Sequence, residues 1–479
     1  MSNDASTPGQ LTRVLARKDV LALAFGAMIG WGWIVLTGSW IQSAGSLGAI
    51  TAFLIGGLII VLVGLTYAEL ASAMPQVGGE HVYSYRAMGH FASFLCTWAI
   101  TLGYVSVVAF EAVALPTVVE HLFPDYAVGH LWTIAGWEVK ATWVAVGVAG
   151  SVAMMWVNYV GIRTAALLQK VVTLLILVVG IMFITGALFE GERATMDPLF
   201  NVSEGVVGGI MMVLIMVPFM FVGFDVIPQA AEEINLPFRE IGRVLMISVI
   251  LAVFWYSFII LGTSLMLNPE ALAASSLAVP DAMQAVFRAP WAGNLMILAG
   301  IAGIITSWNA FYVGGSRAIY ALAHSGMLPA FLGRLHPTHR TPTSAILLMG
   351  ILSCIAPFFG RPALVWLVVA GGLGIVIAYL FVALSFVMLR RREPDMPRPF
   401  RVRHGKLVGF LSVALSLGLI AMYLPGSPSA LAPVEWAMFA GWMLIGLALY
   451  AWSRMRYGTD YSDRMMHREL AGSEPYPGR

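Results

Sequence analysis

The chain alternates long apolar runs with short polar connections. Twelve runs stand out, at residues 20–41, 46–74, 92–119, 140–159, 164–188, 205–231, 243–267, 291–323, 343–360, 363–389, 406–424 and 433–453. Each is close to the ~20 residues a helix needs to cross a hydrocarbon layer about 30 Å thick. Several are apolar all round, so periodicity does not place their faces. The pattern predicts an all-α polytopic membrane protein with twelve transmembrane helices.

Two runs carry their own interruptions. Gly26 to Trp33 (GAMIGWGW) puts Gly26, Gly30 and Gly32 in the middle of the first run. Glycine weakens a helix by about 1 kcal/mol relative to alanine. In lipid a broken helix uncovers N–H and C=O groups that cost several kcal/mol each unless something satisfies them. Such a break is expected to line a cavity; the competing reading is close helix packing through small residues. The sixth run holds Val217-Pro218-Phe219-Met220-Phe221-Val222-Gly223-Phe224-Asp225, in which a proline removes a backbone donor and a glycine follows five residues later. Paired interruptions in corresponding halves point to a transporter's binding site.

Composition agrees: 59% of the 479 residues are hydrophobic and 11% charged, against about 25% charged in soluble chains. An even number of spans puts both termini on one side. Of the 27 lysines and arginines, only Lys140, Arg193, Arg288 and Arg361 then fall on the other. That asymmetry predicts cytoplasmic termini in a cytoplasmic (inner) membrane. Arg390–Arg392, Arg398, Arg401 and Arg403 read as a positive-inside anchor. They lack the aromatic surface that nucleic-acid binding uses, so no nucleic-acid partner is expected. Cys96 and Cys354 lie in apolar runs and suggest packing, not a disulfide. Met1 to Gln10 shows no cleavable-signal pattern. No His/Cys/carboxylate cluster with ligand spacing and no nucleophile–base pair occurs in the spans, which argues against an enzyme and against a catalytic residue or resident cofactor.

Four motifs carry a family resemblance. Tyr67-Ala68-Glu69-Leu70 is followed by Pro75-Gln76-Val77-Gly78-Gly79-Glu80-His81-Val82-Tyr83-Ser84-Tyr85-Arg86-Ala87-Met88-Gly89, a segment expected to lie as a short amphipathic helix on the inner leaflet. Ala231-Glu232-Glu233 with Asn235, Pro237 and Arg239 follows span six. Ser316-Arg317 to Tyr320-Ala321 leads into Gly326-Met327-Leu328-Pro329, His336-Pro337 and Thr341-Pro342. Arg390 to Val402 (RRREPDMPRPFRV) precedes span eleven. Over about residues 15–405 the sequence resembles the amino acid–polyamine–organocation permease superfamily. His81 stands where that family usually has tyrosine.

The resemblance implies a leucine-transporter-like fold of two inverted five-span repeats, residues 19–190 and 200–390, with spans one and six broken. A cytoplasmic N-terminus (1–18), a basic cytoplasmic loop (391–405), two extra spans (406–453) and a cytoplasmic tail (454–479) complete the expected organisation. A substrate carboxylate is expected at the N–H groups of Gly30, Trp31 and Gly32, and an ammonium near the carbonyls of Ile29, Phe219, Val222, Gly223 and Phe224. Trp31 and Trp33 are bulky for a family that reads G-x-G here; they present a face to a cation or pack on neighbouring spans. Phe219 matches an aromatic gate of relatives, and Phe311 a second one. Asp225 matches an acidic position used in gating or proton sensing. Tyr104, near mid-span, is expected at the substrate carboxylate. Glu111, two turns further on, is expected about 10 Å outward in the vestibule. Glu69 and Arg317 read as structural.

Coupling stays open at this point among sodium, protons and uncoupled exchange. Position 176, where many proton-coupled relatives carry lysine, is Ile176 here. Five neutral oxygens, on Gly26, Ile29, Gly303, Thr306 and Ser307, match a sodium site of the fold. The predicted function is secondary active transport of amino acids. Transport of an amine or polyamine lacking a carboxylate is the near alternative, and an amino acid sensor that moves nothing is an alternative of another class.

Overall fold

The structure is a computed structural model. It describes residues 15–458 except 202 and 204, together with 461, 464 and 465; the side chains of 162–166 and 168 lie outside the described set. Most of the expected N-terminal segment 1–18 and much of the tail 454–479 lie outside it as well.

The helices, in chain order, are α1 (Arg17–Met28), α2 (Gly32–Val35), α3 (Thr37–Ala44), α4 (Ser46–Ala73), α5 (Glu80–Met88), α6 (His90–Leu122), α7 (Ala141–Val160), α8 (Ile162–Glu190), α9 (Val206–Leu214), α10 (Val217–Phe221), α11 (Val226–Gln229), α12 (Phe238–Met266), α13 (Pro269–Ala274), α14 (Ala278–Phe287), α15 (Pro290–His324), α16 (Thr343–Ile355), α17 (Ala363–Arg392), α18 (Gly405–Tyr423) and α19 (Pro433–Tyr457). Among the described residues, eleven helical segments are long and apolar enough to cross a membrane. The remaining predicted span, the ninth at 343–360, meets a shorter apolar segment, Thr343–Phe359.

Side-chain exposure marks the lipid-facing surface. On α8, Val171, Leu174, Val178 and Ile181 recur at helical spacing and are all about 60% exposed. Such a stripe has no place on a soluble monomer and is at home against acyl chains. Inside, glycines let backbones approach. A Cβ on Gly103 of α6 would collide with Ile375 of α17, and one on Gly374 with the carbonyl of Ala99. Small residues at interhelical contacts serve this purpose where lipid supplies no hydrophobic drive.

Three features depart from the sequence expectations. First, α5 does not lie on the membrane surface: Glu80 to Tyr85 and Ala87 are buried. Positive-φ backbone at Gly78 and Gly79 turns the chain inward, and a Cβ at Gly79 would stand 2.9 Å from Pro228. Second, part of the basic run is an internal clamp: Arg390 and Arg398 both pair with the buried Glu69 at 2.5 and 3.0 Å. Third, a two-stranded antiparallel hairpin, β1 (His130–Ile134) and β2 (Trp137–Lys140), precedes α7. It turns through Ala135 and Gly136, both at positive φ as a tight hairpin turn demands.

Arg317 and Glu233 form a two-pronged ion pair at 3.0 Å for each contact, both nearly inaccessible. Removing one partner strands the other charge. Arg317→Met is therefore expected to destabilise the fold by about 3–5 kcal/mol, read as lost thermal stability in detergent.

Candidate functional site

α1 ends at Met28 and the helix resumes only at Gly32. In the sixth segment α10 ends at Phe221, Val222 is extended, Gly223 has φ +137°, and α11 begins at Val226. The two interruptions touch. A Cβ on Gly223 would stand 2.7 Å from the Ala27 Cβ and 2.9 Å from the Met28 nitrogen. Only glycine permits that approach at that φ.

Carbonyls that leave the helical ladder need new partners at this depth. Tyr256 of α12 donates its hydroxyl to Met28 O at 2.7 Å, and Tyr423 of α18 donates to Ile215 O at 2.6 Å. Neither tyrosine was visible as functional in the sequence, because nothing local marks a hydroxyl that serves a distant backbone.

Between the interruptions lies a small cavity of about 20 Å³, close to the volume of one or two waters. Gly30, Gly32, Phe219, Met220, Glu111, Ser307, Phe311 and Tyr256 are among the residues that line it. Glu111 sits in the break itself. Its Oε1 accepts the Trp31 N–H at 3.4 Å, and a Cβ on Gly30 would collide with that same oxygen. Glu111 Oε2 is buried without a hydrogen-bond partner in the described structure.

The predicted residues separate into those the cavity gathers and those it does not. Gly30, Gly32, Phe219, Phe311, Glu111 and Ser307 line it. The vestibule position expected for Glu111 is corrected: it stands level with Gly30. Tyr104, expected at a substrate carboxylate, points elsewhere and donates to Asp225 Oδ2 at 2.5 Å. Two helical turns separate these residues as predicted, but the break lies at the Glu111 end. Val222, Gly223 and Phe224 do not line the cavity; Gly223 packs on α1, and the Phe224 ring meets Tyr67 and Tyr379 at 5.3 and 5.6 Å. Ile29 and the Trp31 side chain stay outside it too. Trp31 packs on Gly300 and Trp33 edge-on to Trp255 at 5.3 Å, so neither offers a face to a cation.

The five residues matched to sodium lie where α1 meets α15. Gly303 approaches the carbonyls of Ile29 and Gly30, and Gly26 faces Thr306. The Thr306 hydroxyl donates to Gly303 O at 2.9 Å and keeps its own lone pairs, while the Gln169 amide nitrogen, a donor, stands against Gly26 and bonds Ala22 O at 3.2 Å. Gln169 continues through Asn309 to Asn158 as a buried amide chain.

Glu80 is the functional candidate that sequence reasoning missed. It is fully buried on α5 and takes hydrogen bonds from Tyr67 at 3.2 Å, Tyr104 at 3.4 Å and the Gln229 amide. Burial, and after it the nearby Asp225, pushes the Glu80 carboxyl well above the usual range, while Tyr67 and Tyr104 pull back. The signal is a carboxylate directly after the Gly78-Gly79 turn, where nothing local marks it as buried.

Residues 15–448 match the family described as "Amino acid permease". A branched-chain amino acid permease of Bacillus subtilis (strain 168) is 26% identical over 93% of this chain and 94% of its own length. The methylthioribose transporter of that bacterium is 25% identical over 92% and 93%, and its aspartate-proton symporter 25% over 85% and 78%.

Proposed function

The chain belongs to the amino acid permease family, an integral membrane protein that transports amino acids, and from that premise we propose how it does so. The mechanism is alternating access around the cavity between the α1–α2 and α10–α11 interruptions, with twelve spans in two inverted five-span repeats. The touching breaks at Gly223 and Ala27–Met28 support this reading. The lysine and arginine asymmetry supports cytoplasmic termini in an inner membrane.

The observation that carries the site assignment is the free Glu111 Oε2 on the cavity wall. A substrate ammonium satisfies it, while Phe219 and Phe311 close over the apolar part. Because Oε1 already takes the Trp31 N–H, a substrate carboxylate must use what remains of the α2 end, beginning with the N–H of Gly32. That same occupancy favours a second reading, an amine without a carboxylate. At about 20 Å³ the cavity is too small for an amino acid, so this reading requires the aromatic pair to part on binding.

Counterflow tests the proposal. Proteoliposomes loaded with unlabelled amino acids are expected to take up the labelled ones transiently above the equilibrium level. A ligand that raises the melting temperature yet gives no flux would replace the transporter by a sensor. Flux of amines alone would select the second reading.

A further inference from the structure

Two carboxylates lie buried on the side of the cavity that Tyr104 faces. Neither Glu80 nor Asp225 makes an ion pair among the described residues, and both are fully buried. One hydroxyl joins them: Tyr104 Oη is 2.5 Å from Asp225 Oδ2 and 3.4 Å from Glu80 Oε1. The groups facing the pair are Tyr67 from α4, Tyr104 and Cys96 from α6, Gln229 from α11 and Tyr379 from α17. On α5 itself Tyr83 interacts with Glu80, and His81 turns its Nδ1 to Ser93 Oγ at 2.9 Å. All are neutral or acidic, apart from that imidazole.

Two polar atoms of the cluster are left over. Gln229 gives its amide nitrogen to Glu80 Oε2, while its own Oε1, buried, has no partner. The Tyr379 hydroxyl, also fully buried and close enough to interact with both carboxylates, has none either. An orphaned acceptor beside a carboxylate is costly as long as the carboxylate has nothing to donate. A proton on Glu80 Oε2 changes that. Once the Gln229 amide turns over, the new O–H donates to Gln229 Oε1.

We propose that Glu80, joined to Asp225 through the Tyr104 hydroxyl, is the proton-binding site that couples amino acid movement to a proton gradient. The proposal rests on the transporter reading above. No bond other than O–H forms or breaks: the proton enters as a proton, sits on Glu80 and leaves by the same oxygen. Its presence reaches the substrate site by two routes. Asp225 Oδ1 accepts the Gly223 N–H at 2.6 Å, at the interruption that packs on α1. The Tyr104 ring lies 5.6 Å from Phe311, which lines the cavity.

The test uses the full chain in proteoliposomes, with the radiolabelled mixture of the twenty protein amino acids as substrate and a trapped pH dye reporting proton entry. An inward gradient of one pH unit is expected to drive up to about tenfold accumulation for one proton per substrate, with dye acidification. In Glu80→Gln the accumulation is expected to fall to the equilibrium level while counterflow persists. Tyr67→Phe removes a hydroxyl that donates to the Glu80 carboxylate and favours its charged form, so its pH profile for accumulation is expected to move to higher pH. Proton-driven accumulation in Glu80→Gln at the wild-type level overturns the proposal. So does wild-type counterflow without proton entry. Should Glu80→Gln fail to fold, an unmoved pH profile in Tyr67→Phe overturns it alone. Absence of counterflow in the wild type would instead remove the transporter reading, so the two failures are distinguishable.

Discussion

Glu111→Gln is expected to leave the protein folded and to weaken amino acid binding by about 10- to 100-fold. A hydrogen bond to a charged group contributes about 1.5–3 kcal/mol, and the substitution removes that charge while keeping the shape. Stability should not fall, because the amide keeps the shape and its oxygen can still accept the Trp31 N–H. Glu111 is almost wholly inaccessible, and its second oxygen has no partner among the described residues. Thermal melting with and without ligand separates the two effects: an unchanged or higher melting point without ligand, and a much smaller upward shift with it. Unaltered ligand shifts would show that Glu111 only tethers the break.

Gly223→Ala is expected to abolish transport and to cost stability on two counts. A residue with a Cβ at φ +137° is strained by about 1–3 kcal/mol. Overpacking against Ala27 and the Met28 backbone adds about 1–3 kcal/mol more. The neighbours are main-chain atoms and a Cβ fixed to the main chain, so no side chain can swing away. Unfolding in detergent reads the stability loss, and counterflow reads the function. Gly136→Ala is the control: its φ is also positive, at 79°, but nothing lies within 4 Å of the added carbon. It should cost only the backbone strain and leave flux intact.

Much of the architecture was legible because hydrocarbon imposes so few solutions. Apolar runs had to be helices, and glycines or a proline at mid-run had to be explained by what satisfies the exposed backbone. That logic led to Gly30, Gly32 and Phe219. It could not find the partners of the freed carbonyls, since Tyr256 and Tyr423 lie far along the chain and satisfy them through folding alone. Depth was the second weakness. Counting turns put Glu111 two turns from Tyr104 correctly, yet which of the two meets the break depends on how α6 and α1 are offset. The inward turn of α5 was hidden by its polarity. A segment with Glu, His, Tyr and Arg reads as surface unless its partners are known, and here Glu80 is met by three other helices. The basic run misled for the same reason, with Arg390 and Arg398 folding back onto Glu69.

The account stands on the cavity between the two interruptions as the place where a substrate's amino group meets Glu111. A structure of the full chain with a bound amino acid, the one giving the largest melting shift, tests this most directly. The account predicts the amino group within hydrogen-bonding distance of the Glu111 carboxylate and the side chain between Phe219 and Phe311, with the cavity enlarged around them. A ligand seated elsewhere, with Glu111 still closed over Gly30 and no room beside it, would contradict it.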